Sequence, residues 1–342
     1  MGQVVQLNNS RKDFIFYVRQ LQKLCEKDLS LINSIIIDKL DSDVPLVQEI
    51  ASHLILSGGK RLRPLLTSCC FQMCKDNNDD ERKYIGLAAA VEFIHAATLL
   101  HDDVIDKSKN RRGSLSANEV WGNNTSVLVG DFLFSRAFQL MAKYGNISVL
   151  KILSDTSVVI SEGEILELQN DKDPTINEDI YFKVINGKTA SLFSAACQVG
   201  AMCAKINQEK IDALKSFGTN FGMSFQLIDD AIDYSSSTTK LGKNVGDDFK
   251  EGKVTLPIIL AYLRSNDYEK EFWKKTIRHL DQNKDDFSKA IEIINKYKCI
   301  EDTIDRAKHF ANIAKDSLGI FDDSEYKEIL TNLVNSGLTR LN

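Results

Sequence analysis

Residues 88–106 read AAAVEFIHAATLLHDDVID. Alanine, leucine and isoleucine fill the stretch, and no proline or glycine interrupts it. It predicts a buried helix whose last turn carries Asp102, Asp103 and Asp106. The same arrangement returns at FQLIDDAIDY (225–234), where Asp229, Asp230 and Asp233 close another apolar run. On a helix, positions i and i+4 share a face, so Asp102 projects with Asp106 and Asp229 with Asp233. Three anions within one turn repel each other unless a cation compensates them. Oxygen donors without cysteine or histidine select Mg²⁺. Two such clusters predict two carboxylate sets on the rim of one cavity.

Outward from these stretches, helical spacing dominates. Helices are predicted over 14–40, 84–105, 126–143, 147–170, 181–204, 208–234 and 254–265, and no alternating strand pattern persists. Only four prolines occur in 342 residues, which permits long helices, since an internal proline costs roughly 3 kcal/mol. The fold class is therefore all-α, a single large helical bundle around a central cavity, with 1–342 forming one domain. Polar breaks lie at 76–82, 107–118 and 170–178. The Ser-, Gly- and Lys-rich stretch 235–253 is expected to form a non-helical lid.

The net charge of −5 argues against nucleic acid as a partner. Seven cysteines with no CxxC pair read as reduced core thiols. The first ten residues lack a basic and apolar leader, and no run of about 20 apolar residues predicts a transmembrane segment. Any anion site must come from local clusters of Lys and Arg. Such clusters occur at Lys60, Arg61 and Arg63, at Arg111 and Arg112, at Lys188, and at Lys243 and Lys253. Beside two acidic clusters able to clamp a diphosphate through metal, they suit a second diphosphate held by Lys and Arg alone.

From near Leu40 onward the chain resembles the trans-isoprenyl (polyprenyl) diphosphate synthases, particularly the bacterial octaprenyl and decaprenyl types. The motifs that carry the resemblance are GGKRLRP (58–64), LLHDDVIDKSKNRRG (99–113), GDFLFSRAF (130–138), GKTASLF (187–193), FQLIDDAIDY (225–234) and GKNVGDDFKEGKVTLP (242–257). The resemblance implies that Asp102, Asp103, Asp106, Asp229, Asp230 and Asp233 hold Mg²⁺, three ions with substrate bound, on an allylic diphosphate. It implies that Arg111, Lys188, Lys243 and Lys253 touch that diphosphate. Lys60, Arg63, His95 and Arg112 would bind isopentenyl diphosphate, and Thr189 and Gln226 would line the reacting centre. Catalysis would rest on Asp102, Asp103, Lys188, Thr189, Gln226 and Asp229. The implied reaction breaks the allylic C–O bond, lets the isopentenyl double bond attack the cation, and passes a proton to the released diphosphate.

Ala97 and Thr98, five and four residues before Asp102, are small, where an aromatic residue in this family stops growth near C15. The expectation is an open tunnel past Ile94 and Val91, with Phe132, Phe134, Phe138 and Met141 as candidate floors. The product would be C30–C50, of the kind used for quinone side chains; the alternative is C20. A class I terpene cyclase is disfavoured by the intact Asp229-Asp230-Ala231-Ile232-Asp233 cluster and by Lys60 and Arg63. A non-catalytic synthase subunit is disfavoured because neither acidic cluster is lost. A homodimer in the cytoplasm is the expected setting.

Overall fold

The computed structural model describes residues 7–56, 58–76, 81–235 and 246–341. It is an all-α bundle. The predicted 14–40 helix is two, α1 (Leu7–Leu24) and α2 (Glu26–Lys39), because α1 packs on the C-terminal helix while α2 packs on α5. Then come α3 (Pro45–Leu56), α4 (Leu62–Cys74) and α5 (Glu81–Ile105). Helix α5 is the axis of the bundle: Leu87 to Val91, Phe93, Ile94, Ala97 and Leu100 are all fully buried. By length and composition its Arg82–Ile105 stretch could cross a membrane, although charged residues interrupt it. However, 78% of its most apolar window is buried inside the protein, as in a core helix.

The 107–118 break holds a hairpin that the sequence reading missed. Strands β1 (Asn110–Arg111) and β2 (Ser114–Leu115) pair antiparallel, Arg111 opposite Ser114. The two turn residues, Arg112 (φ 54°) and Gly113 (φ 84°), both have positive φ, the geometry that matches strand twist in two-residue hairpins. Next are α6 (Ala117–Trp121), α7 (Asn123–Tyr144), which packs along α5, and α8 (Ile147–Gln169). The predicted 181–204 helix is interrupted. Helix α9 (Glu178–Ile185) runs into a π-helical turn, Asn186–Ala190, before α10 (Ser191–Cys203). Such turns recur at functional sites.

Helix α11 (Gln208–Asp233) ends at the second acidic cluster. Beyond it, the expected non-helical stretch 235–253 contains a short helix, α12 (Asp247–Glu251), while residues 236–245 fall outside the described range. The bundle closes with α13 (Leu256–Arg264), α14 (Asp267–Trp273), α15 (Asp286–Lys296), α16 (Cys299–Ser317) and α17 (Glu325–Leu338), of which only α13 was foreseen. A 3₁₀ turn at Thr339–Leu341 follows. All seven cysteines are unbridged.

Candidate active site

Helices α5 and α11 deliver their acidic ends beside two cavities, of about 440 and 960 Å³. Both are lined by Glu164, Lys188, Thr189 and Gln226, so they share that wall. The smaller also meets Asp106, Asp230, Asp248 and Lys253. The larger gathers Lys60, Arg63, His95, Arg111 and Arg112 with Asp102 and Asp229. Residues far apart in sequence are thus brought together, but around two cavities rather than the one expected, and Asp103 and Asp233 line neither; Lys243 lies outside the described residues.

The shared wall depends on a close backbone approach. A Cβ on Gly187 would lie 2.9 Å from the Gly163 Cα, so α8 and the π-turn touch where both are glycine. The next residues, Glu164 and Lys188, therefore meet. Lys188 Nζ lies 2.8 Å from Glu164 and also donates to Glu167. Burial opposes the Lys188 charge, but Glu167 and Glu164 outweigh it and raise the ammonium above its usual range. Thr189 donates to Gln226 Oε1 at 3.0 Å, and Gln226 Nε2 donates to Asp230 at 2.8 Å, which fixes the amide orientation.

The six aspartates differ in their surroundings. Asp103 is fully buried and accepts from Arg111 Nε at 2.9 Å and Nη2 at 2.5 Å; its other oxygen has no partner. Asp230 is nearly buried and accepts from Tyr181 at 2.5 Å, and burial pushes it up to about 7. Asp102 and Asp229 line the larger cavity, and Asp106 and Asp230 the smaller. Burial, then the Glu164 charge, push Asp102 up to about 7. Lys253 reaches Asp106 at 3.4 Å, Arg340 reaches Asp229 at 2.5 Å, and the Asp248 backbone N–H reaches Asp233 at 3.0 Å. Among the described residues no three carboxylate, thiol or imidazole groups already converge on a metal position. The donors nonetheless fit a hard cation. They are all oxygen, Asp102 is held against its own ionisation, and Asp103 keeps an unpartnered buried oxygen.

The basic cavity is built by the segment before α4. Gly59 (φ 151°) lacks a Cβ that would lie 3.0 Å from Arg112 Nη1, and the Arg112 guanidinium donates to the carbonyls of Gly58 and, at 3.4 Å, Leu54. Lys60 Nζ lies 5.2 Å above the Phe14 ring. Arg63 stacks over Phe193 at 4.3 Å and lies 3.2 Å from His95 Nε2. Burial, then Arg63 and the other arginines, hold His95 well below the usual histidine range, so it is neutral and accepts from Arg63. Of the two tunnel residues, Thr98 lines the larger cavity, whereas Ala97 is fully buried in the core cluster with Leu133 and Ala137. Phe138, a candidate floor, is 43% exposed and floors nothing.

These features match known proteins. A model of the polyprenyl synthetase family fits residues 44–294. The chain belongs to the polyprenyl synthetase family. Among its relatives in that family is the octaprenyl diphosphate synthase of Haemophilus influenzae, 39% identical over 94% of this chain and 97% of the relative. A decaprenyl diphosphate synthase from Rhodobacter capsulatus superposes with a TM-score of 0.90 at 40% identity, covering 95% and 99% of the two chains. A Caulobacter crescentus polyprenyl synthase, crystallised with calcium and isoprenyl diphosphate, gives 0.89 at 44% identity over 95% and 98%.

Four charged side chains in or beside the cavity walls of this polyprenyl synthetase escape the sequence reading. Glu92 was detectable as a lone carboxylate in an apolar helix, which needs a partner. Glu164 and Glu167 were detectable by their three-residue spacing on one face. Arg340, docked between Phe14 and Phe225, has no local signal.

Proposed function

We propose that this enzyme condenses isopentenyl diphosphate head to tail onto an allylic diphosphate, building an all-trans chain of C30–C50. The observation that carries the reading is the cavity pair, one basic and one acidic, joined at the wall of Lys188, Thr189 and Gln226. The octaprenyl and decaprenyl names of its relatives support the longer product over C20.

Asp102, Asp103, Asp106, Asp229, Asp230 and Asp233 would hold Mg²⁺, with three ions in the substrate complex; Asp102, Asp106, Asp229 and Asp230 line the cavities. Asp103 also orients Arg111, and Asp230 orients Gln226. Bound Mg²⁺ supplies charge neutralisation for a diphosphate. Lys188, Arg111, Lys253 and Lys243 bind the allylic diphosphate; Lys60, Arg63, Arg112 and neutral His95 bind the isopentenyl one. When the allylic C–O bond breaks, its electron pair leaves with the diphosphate, toward the Lys188 ammonium. The Thr189 and Gln226 oxygens face the electron-poor carbon. The isopentenyl double bond supplies the new C–C bond, and the lost proton passes to the released diphosphate. Residues 246–253, the described part of the expected lid, are anchored to both clusters through Asp233 and Asp106, where they would help exclude water.

The reading extends to one domain over 1–342 and to a cytoplasmic homodimer supplying quinone side chains. Leu128 (67% exposed) and Phe138 on α7 offer an apolar stripe to a second copy. Incubation with farnesyl diphosphate, isopentenyl diphosphate and Mg²⁺, followed by product sizing, tests the reading. No condensation would refute it.

A further inference from the structure

Arg61 stands between Lys60 and Arg63, yet its guanidinium turns inward. Its φ and ψ are 49° and 36°, a left-handed conformation that a non-glycine residue adopts only when its surroundings impose it. Two contacts impose it. Arg61 Nη1 donates to Glu92 Oε1 at 2.5 Å, and Nη2 donates to the Ile55 carbonyl at 2.6 Å. Glu92 is 4% exposed, in the middle of α5. Three residues on, along the same helix face, His95 meets Arg63. One helix thus fixes the chain at Arg61 and receives Arg63.

We propose that Glu92 is a positioning residue for the isopentenyl diphosphate subsite, acting through Arg61. The inference rests on the proposed condensation. The torsions at Arg61 set the direction in which the chain leaves Lys60 and enters α4, and therefore the placement of Lys60 relative to Arg63. Glu92 is also the carboxylate whose charge favours ionised Arg63 and Arg112, against the burial that disfavours them. It contacts Arg61 directly, acts on the other two through its charge, and sits in the wall of the larger cavity.

Two variants test this. Glu92→Gln keeps the shape and an acceptor but removes the charge. Arg61→Gly removes the guanidinium and accepts the left-handed φ at no cost. For each, the KM of both substrates, kcat, a thermal melt and calorimetric binding of inorganic diphosphate without metal are measured. The expected result is a rise of roughly tenfold in KM for isopentenyl diphosphate, the scale seen when a group that orients a ligand is lost, with kcat and the allylic KM little changed. Metal-free diphosphate binding weakens in parallel. Unchanged isopentenyl KM in folded variants, an equal rise in both KM values, or failure of both variants to fold would overturn the proposal. If the wild type itself shows no condensation, the parent reading fails instead. The diphosphate titration then still decides whether the pair organises an anion site.

Discussion

Replacing Lys188 by methionine keeps the aliphatic stem and removes the one cation between Glu164 and Glu167. In the native protein the three side chains are 21%, 15% and 40% exposed. Deleting one partner of a fully buried pair costs about 3–5 kcal/mol, and of an exposed pair about 0–1 kcal/mol, so this half-buried group should cost about 2 kcal/mol. At roughly 2.1 cal/mol/K per residue, 342 residues unfold with an entropy of about 0.7 kcal/mol/K, and Tm should fall by about 3 °C. The loss must depend on pH. Burial already raises Glu164 above the ordinary glutamate value, with Lys188 opposing, so removing Lys188 raises it further. A carboxyl whose folded pKa is raised contributes stability that is complete below its unfolded value and is lost as pH rises through the folded value. The Lys188→Met deficit should therefore shrink near pH 5.5 and grow near pH 8. Adding Glu167→Gln should restore part of the lost stability. Calorimetric melts at both pH values measure it, and equal melting of variant and wild type at both would refute the account of this wall.

Asp102→Ala should abolish Mg²⁺-dependent turnover while leaving the melt unchanged or slightly raised, since one of several repelling carboxylates is gone; kinetics beside a melt check it. Lys60→Ala should raise KM for isopentenyl diphosphate with a loss of roughly 1.5–3 kcal/mol in kcat/KM, leaving the allylic KM near wild type. Thr98→Phe, on the cavity wall, should shorten the product toward C15–C20. Ala97→Phe, in the packed α5–α7 core, should instead cost about 1–3 kcal/mol of stability, read by product sizing and denaturant melts on both.

Much of this architecture was legible because it is local. The two acidic clusters, the helices that carry them and the basic motifs are each written within a few consecutive residues. The π-turn at Asn186–Ala190 was not, because its cause is tertiary: Gly187 must meet Gly163 on α8. The hairpin that aims Arg111 at Asp103 is two residues per strand, too short for an alternation pattern, although Arg112-Gly113 carried the turn signal. The contacts that hold Asp103 and Asp230 depend on Arg111 and Tyr181, which arrive from other elements. Arg340 meets Asp229 only because α1 and the C-terminal turn fold together over α11. Helical phase placed Ala97 and Thr98 one position apart, but only packing shows that Thr98 lines the larger cavity while Ala97 is sealed in the core.

The most direct measurement is the length of the product made by the purified protein from farnesyl diphosphate, isopentenyl diphosphate and Mg²⁺, resolved by chromatography after dephosphorylation. The account predicts an all-trans polyprenol between C30 and C50 and no elongation when the metal is chelated. A product that stops at C20, or no elongation with metal present, would contradict it.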